Sequence, residues 1–417
     1  MLLQTILNQV QPCKSFVYEK ARVVGDEPEW SIEVTIRARS NGRPVCSGCG
    51  RCRPGYDRLR KRRYEFVPLW GMAVFFLYAP RRVDCRKCGV KVEQVPWAEG
   101  KCRLTTSYRW FLAFWAKLLT WQQVARVFHT SWNSVYRGVE LAVCWGILQR
   151  SLEGIEAIGV DEIQWRKGHK YLTLVYEIEE GCKRLLWVGK ERLEKSLRGF
   201  FEMLGEAGCR SLRYVCSDMW QPYLKVITDK AEQALHVLDR YHIMAMMNKA
   251  LDEVRAAEAR RLKADGYEPV LKHSRWCLLK RPENLTEQQT VKLAEVLKYN
   301  LQSVRAYLQR EEFQRFWEYE SPYWAGQFLE EWCTRVLRSR IEPMKKVARS
   351  LRAHRELILN WFRARGAISA GTVEGLNYNA KLTMKKSYGF RTFRGVKIAL
   401  YHRLGALPEP EFTHRFW

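Results

Sequence analysis

Three acidic residues stand in settings suited to metal-assisted chemistry. Asp161 ends the apolar run Ile155–Val160, and Asp218 follows the run Leu212–Cys216. Glu374 sits far downstream, in Thr372-Val373-Glu374-Gly375-Leu376-Asn377. Carboxylates are hard oxygen ligands of the kind Mg²⁺ prefers, and a pair of such ions can clamp the attacking and leaving oxygens of a phosphodiester. Two carboxylates at strand ends and a third on a late helix therefore predict two-metal phosphoryl transfer. Glu162 competes as a ligand, but on a strand it points to the face opposite Asp161. His242 follows Asp239 by three residues at an expected strand-to-helix junction. There it could reach a scissile phosphate or a leaving oxygen. The plainer readings are a core histidine and a helix-capping Asp239.

A second set has the spacing of a metal site of another kind. Cys46-Ser47-Gly48-Cys49 and Cys85-Arg86-Lys87-Cys88 are C-x-x-C loops, each followed by glycine. Two such loops offer four thiolates to one tetrahedral ion, so Cys46, Cys49, Cys85 and Cys88 predict a closed, structural Zn²⁺ site. Cys52 is a spare thiol nearby. Thirteen cysteines, an odd number, in a long chain without a secretory start argue against a disulfide framework.

These residues need elements to position them. Ile155–Asp161, Tyr171–Glu177 and Arg184–Val188 read as three successive strands, followed by a helix over Leu193–Gly205. A fourth strand over Leu212–Asp218, a helix over Gln221–Lys230, a fifth strand over Ala234–Asp239 and a long helix over Tyr241–Arg261 complete the series. That order is the one of a ribonuclease-H-like α/β core, in which the first and fourth strands are neighbours. From Leu262 to Arg365 there is no strand pattern, only helical periodicity, which predicts an α-helical insertion whose Trp317, Trp324 and Trp332 belong to its core.

Upstream, Arg60–Val67 and Val74–Tyr78 read as strands between the cysteine loops. Ser107–Lys117 reads as a helix, and residues 120–136 as two short helices capped by Thr120 and Ser131. The last pair has the pattern of a helix-turn-helix, which places Trp132, Asn133 and Arg137 against DNA. The whole is an α+β multidomain chain. Its expected parts are a segment 1–42, a zinc-binding β module 43–100, a helix-turn-helix 101–150, the core 151–261, the insertion 262–365, the last core helix with a basic segment 366–404, and a tail 405–417.

Composition agrees with a polyanion as partner. Lys and Arg total 71 against 45 Asp and Glu, a net charge of +26 in 417 residues. The excess is clustered: residues 43–110 hold 16 basic and 5 acidic side chains, and residues 375–403 hold seven basic and no acidic ones. Arg60, Arg62 and Arg81 near the cysteine loops, and Lys381, Lys385, Lys386 and Arg391 after Glu374, are expected phosphate contacts. No apolar run reaches membrane-spanning length, and the first residues lack a signal-peptide layout, so a cytoplasmic, nucleoid-associated protein is expected.

Several blocks together resemble the ISL3 family of bacterial insertion-sequence transposases. They are Ile158-Gly159-Val160-Asp161-Glu162-Ile163, Arg166-Lys167-Gly168-His169-Lys170-Tyr171, Cys216-Ser217-Asp218-Met219, Leu238-Asp239-Arg240-Tyr241-His242, the Glu374 block, and Tyr388-Gly389-Phe390-Arg391. The resemblance runs from about Cys46 to Leu404. It implies that Asp161, Asp218 and Glu374 form a DDE triad holding two Mg²⁺, with Mn²⁺ able to substitute. It also implies terminal inverted repeats and target DNA as double-stranded partners, and a homodimer or larger synaptic assembly. A DNA-binding protein descended from a transposase and a structure-specific nuclease on the same fold are the alternatives.

Overall fold

The computed structural model describes residues 2–27, 29–267, 269–364 and 370–415. The expected boundary at 365/366 lies outside them. The chain divides into two compact units, residues 1–151 with 382–417, and residues 152–381.

The first unit begins with helix α1 (Leu3–Val10) and strands β1 (Phe16–Val24) and β2 (Ser31–Ala38). Ile32, Val34 and Ile36 alternate inward along β2, the period of a half-buried strand. β3 (Gly55–Arg58), β4 (Arg62–Leu69), β5 (Met72–Tyr78), β6 (Arg81–Cys85) and β7 (Gly89–Val92) follow. They divide between two sheets, a four-stranded one ordered β1-β2-β5-β4 and a three-stranded one ordered β3-β6-β7. The segment 1–42, which the sequence left unread, therefore supplies half of the larger sheet. Its core closes around the buried Trp97, whose ring meets Phe16, Tyr64, Phe76 and Tyr78 edge-on.

Helices α2 (Thr106–Leu118), α3 (Trp121–Val127) and α4 (Trp132–Gln149) complete the first run. Thr120 and Gln123 form a capping box at the start of α3, and the Ser131 hydroxyl accepts from the Ser134 N–H at the start of α4. Val124, Ala125 and Val135 are buried. The second helix is not short: it runs 18 residues, because Val139, Ala142, Val143 and Gly146 continue its buried stripe.

The second unit carries a five-stranded sheet of β8 (Ala157–Arg166), β9 (Lys170–Glu179), β10 (Cys182–Lys190), β11 (Tyr214–Ser217) and β12 (Leu235–Leu238). Their order is β10-β9-β8-β11-β12, with β8 and β9 antiparallel and β8 parallel to β11. β8 does not end at Asp161 but continues to Arg166, paired throughout with β9. α5 (Glu194–Ser211) and α6 (Gln221–Lys230) bury Leu197, Phe200, Phe201, Tyr223 and Val226 against Ile158, Val160 and Val175. α7 (Arg240–Ala264) starts at the Asp239 cap and leads into α8 (Arg275–Leu279), α9 (Glu287–Leu297), α10 (Gln302–Gln314), α11 (Pro322–Arg338), α12 (Glu342–Ala353) and α13 (Arg355–Arg363). No strand interrupts them among the described residues. Trp317 and Trp332 lie in their shared core, but Trp324 is 60% exposed, because it falls on the outer face of α11. α14 (Ala370–Lys386) leads from this unit back into the first, where α15 (Phe393–Leu404) and a short 3-10 turn over Glu411–Arg415 follow.

Candidate functional site

The β8–β11 register sets the carboxylates. Ala157, Ile158 and Gly159 lie beside Tyr214, Val215 and Cys216. Asp161 stands two residues past Gly159 on β8, and Asp218 stands just past the end of β11; burial raises the Asp218 carboxyl, and the charge of Asp161 adds to the rise. The Asp218 Oδ1 caps the following turn by accepting from the Trp220 N–H at 3.0 Å.

α14 is fixed across β8 at two points. Gly159 has no side chain, and Val373 fills the space: a Cβ on Gly159 would lie 2.4 Å from Val373 Cγ2. One helical turn on, Asn377 Nδ2 donates to Asp161 Oδ2, while its Oδ1 accepts from the buried Tyr176 hydroxyl at 2.9 Å. Glu374 lies between these anchors on the exposed side of the helix, and its charge acts on Asp239.

Two cations occupy this edge of the sheet. His242 Nε2 is 3.6 Å from Asp161 Oδ1 and 3.8 Å from Asp239 Oδ2. Burial alone would lower its pKa, but the Asp161 contact and the surrounding carboxylates raise it to about 9. Arg192 Nη2 donates to Asp218 Oδ2 at 2.8 Å, and its Nε lies 2.6 Å from Glu162 Oε1. Its guanidinium also stacks over Trp220, 4.4 Å from the ring centroid. Arg192 is aimed there by Glu191, held at a φ of 68° with its carbonyl accepting from the Thr173 hydroxyl at 2.7 Å.

Glu162, the next residue on β8 after Asp161, is tied to this edge through Arg192, which it shares with Asp218. Burial and the Asp218 charge push its carboxyl up to about 8, and its Oε2 is buried with no hydrogen-bond partner. Burial likewise pushes Asp239 up to about 6, while it caps α7 by accepting from the Tyr241 N–H. The cluster is thus short of positive charge even with His242 and Arg192 in place. Among the described residues the three carboxylates Asp161, Asp218 and Glu374 are not gathered tightly enough to count as a closed ligand set.

The transposase family model of the ISL3 DDE type matches residues 158–400, a span that includes every residue of this cluster. The chain belongs to the ISL3 family of insertion-sequence transposases. It is 30% identical over 351 residues to the transposase of IS1001 from Bordetella parapertussis, covering 83% of this chain and 85% of that one. It is 28% identical over 383 residues to the transposase of IS1557 from Mycobacterium tuberculosis, covering 86% and 85%.

Elsewhere in this transposase, Cys46, Cys49, Cys85 and Cys88 bring their Sγ atoms within 4.8 Å of one another. Gly50 and Gly89, which follow the two loops, take φ of 66° and 69°, the left-handed turn that glycine adopts freely. Burial opposes ionisation of Cys85, but the N–H groups of Cys88 and Lys87 turn toward its sulfur and bring the thiol down to about 6. The donor set fits one Zn²⁺, and Cys52 is exposed outside it.

The expected phosphate contacts divide. Arg60, Asn133, Arg137, Lys381, Lys385, Lys386 and Arg391 are exposed, Trp132 is 47% exposed, and Arg62 is half-buried. Arg81 is turned inward: it pairs with the buried Glu93 at 2.7 Å and donates to the Gly42 carbonyl at 2.8 Å, so its charge is used within the fold. Sequence reasoning missed Arg192 and the pairing of Asn377 with Asp161. Asn377 carried a signal, an amide inside a helix, but Arg192 carried none. No helix among the described residues is long and apolar enough to cross a membrane.

Proposed function

We propose that this transposase cuts and joins DNA at a two-metal site held by Asp161, Asp218 and Glu374. The observation that supports this reading is the parallel pairing of β8 with β11, the strands that lead to Asp161 and Asp218, together with the anchoring of α14, which carries Glu374, on β8 through Val373 and Asn377. The strand order, with the first strand between the second and the fourth, is that of a ribonuclease-H-like core and supports the same reading. So do the raised carboxyl groups and the unpartnered Glu162 Oε2, which favour added positive charge.

Mg²⁺, or Mn²⁺ in its place, would supply charge at the attacking and leaving oxygens. The protein's own groups would do the rest. Asn377, braced by Tyr176, orients Asp161. Arg192 holds Asp218 and Glu162 in register. His242, 3.6 Å from Asp161 and with its pKa raised, is the group suited to meet a phosphate oxygen or to give a proton to a leaving oxygen. Zn²⁺ on Cys46, Cys49, Cys85 and Cys88 would close the cysteine module. Trp132, Asn133 and Arg137 on α4, a helix-turn-helix in this reading, would read the terminal inverted repeats. Arg60, Arg62, Lys381, Lys385, Lys386 and Arg391 would neutralise phosphates, and a homodimer or larger assembly would pair two DNA ends near the nucleoid.

The test is Mg²⁺-dependent cleavage of labelled DNA carrying the inverted repeats that flank the gene, for the natural protein and Asp218→Asn. Cutting at the repeat end by the natural protein alone supports the proposal. Specific binding without cutting by either protein, with Mg²⁺ and with Mn²⁺, sinks it in favour of a DNA-binding role.

A further inference from the structure

In the first unit, the start of α4 and the turn after α14 enclose a cleft of about 720 Å³, in the size range of sites that bury a small ligand. Its floor is aromatic. Trp132 and Tyr136, one helical turn apart, hold their rings 6° from parallel with centroids 5.5 Å apart. Trp121 braces both from the side, 5.5 Å from Trp132 and 5.7 Å from Tyr136, and lies 5.8 Å from Phe390. The rings are therefore positioned by one another, yet nearly half of Trp132 stays open to solvent. At the rim Tyr388 is fully exposed and holds a φ of 53°, a left-handed conformation that costs a non-glycine residue about 1 kcal/mol. That turn ends α14, with the Tyr388 and Gly389 N–H groups donating to the Lys385 and Met384 carbonyls at 3.0 Å, and it leaves the Tyr388 ring free of the core at the rim of the cleft.

We propose that this cleft holds an unpaired nucleobase of single-stranded DNA, stacked on Trp132. An open ring face selects a flat aromatic partner. Inside a duplex both faces of a base are covered by its neighbours, so only a base that has left the stack can use such a platform. The lining also carries the amides of Gln122 and Asn133, whose paired donor and acceptor suit a base edge. Lys386 and Arg391 add exposed cations for the flanking phosphates, in a stretch without acidic residues. An apolar side chain of a protein partner would use the floor but not this basic rim. The proposal deepens the DNA-binding reading above, and it implies that this transposase handles DNA ends whose strands have been locally opened.

The test compares two probes on the full-length protein by fluorescence anisotropy: a single strand of about eight nucleotides, and an abasic deoxyribose-phosphate oligomer of equal length and charge. The natural protein is expected to bind the strand with bases about 5- to 100-fold more tightly, the range that one stacked base supplies. Trp132→Ala removes that preference, so that the two oligomers bind alike, whereas Trp132→Phe, which keeps a ring, retains most of it. Tyr388→Ala, at a fully exposed position that cannot unfold the chain, weakens only the strand with bases. Equal affinity for the two oligomers overturns the proposal, as does natural affinity in both alanine variants. Duplex binding without single-strand binding overturns this proposal alone, and binding of neither overturns the DNA-binding reading with it. Self-association that Trp132→Ala abolishes, with oligomer affinity unchanged, would overturn it by assigning the cleft to a second copy of the chain.

Discussion

Gly159 offers the most direct test of how the site is held together. A methyl group there would lie 2.4 Å from Val373 Cγ2 and 3.2 Å from Ile178 Cγ2. Carbon atoms rest about 3.5–4.0 Å apart, so the first contact must open by on the order of 1 Å. Valine cannot simply rotate away, because one χ1 rotamer is strongly preferred in a helix. The strain of Gly159→Ala therefore passes to α14, which carries Glu374 and Asn377. Overpacking of this kind costs about 1–3 kcal/mol of stability. A shift of about 1 Å in a positioned group costs on the order of 100-fold in rate. The Val373 Cβ lies 3.7 Å from the added methyl, an ordinary contact, so Val373→Ala removes the clash at its source. The single Val373→Ala variant loses about 1.5 kcal/mol of burial. The double variant should be more active than Gly159→Ala alone, with a favourable coupling of about 1–3 kcal/mol in thermal unfolding. Repeat-end cleavage and melting of all four proteins read both quantities. Gly159→Ala cleaving like the natural protein, or a double variant no better than Gly159→Ala, would refute the placement of α14 as the carrier of the third carboxylate.

Other perturbations address separate parts of the molecule. Arg192→Gln leaves Glu162 and Asp218 without their shared cation, so unfolding without divalent ions should come easier by about 2 kcal/mol, and millimolar Mg²⁺ should restore much of the loss; no Mg²⁺ effect would count against the carboxylates as a cation site. The three-stranded sheet buries little beyond Val83, Cys46 and Cys85, so chelating zinc or introducing Cys49→Ser should leave the two cysteine loops and β3, β6 and β7 open to limited proteolysis while β4 and β5 stay protected, and metal analysis of the natural protein finds zinc. His236 is buried, bonded to the Ser217 hydroxyl at 2.7 Å, and burial lowers it to about 4. Below its unfolded value near 6.5 the unfolded chain takes up a proton that the folded chain refuses. This contribution to stability is therefore intact above about pH 6.5 and falls as pH drops toward 4, by on the order of 3 kcal/mol. Denaturant titrations of the natural protein and His236→Gln across that range should differ in slope, and identical slopes would show that His236 is not the group responsible.

Much of the site could be read from residues close together in the chain. The cysteine loops declare themselves because ligand spacing and the following glycine are local properties. The strands carrying Asp161 and Asp218 do so because β-branched runs mark buried strands, although their ends do not: β8 runs past Asp161 because β9 keeps pairing with it as far as Arg166. What was hidden depends on distant partners. Arg81 looks like its exposed neighbours until Glu93 is found buried beside it. Arg192 becomes important only through the turn at Glu191 and the packing of Trp220. The segment 1–42 is a different case. The sequence leaves it unread: Ile32, Val34 and Ile36 do alternate along β2, but a parallel partner such as β5, some forty residues later, leaves no local trace.

The distribution of charge ties the two halves of the proposed function together. A chain with a net charge of +26 would be expected to place cations wherever an anionic polymer is to be handled. At one edge of the β8–β11 pair it does the opposite, bringing Asp161, Glu162, Asp218, Asp239 and Glu374 within electrostatic reach of one another, with His242 and Arg192 paired to them among the described residues. Burial makes this arrangement costly, as the raised carboxyl groups of Glu162 and Asp239 register. It would also repel a phosphodiester if left as it stands. On the proposed function both costs would fall as divalent cations enter, because the same ions would neutralise the carboxylates and attract the phosphate that the acids otherwise reject. The general basic surface can then bring DNA to the protein without selecting where it reacts. The acidic pocket leaves reaction only where metal, carboxylates and phosphate coincide. On this argument the natural protein and Asp218→Asn should bind DNA alike at low salt and differ sharply in metal-dependent cutting, and a large difference in DNA affinity without metal would break the separation of roles.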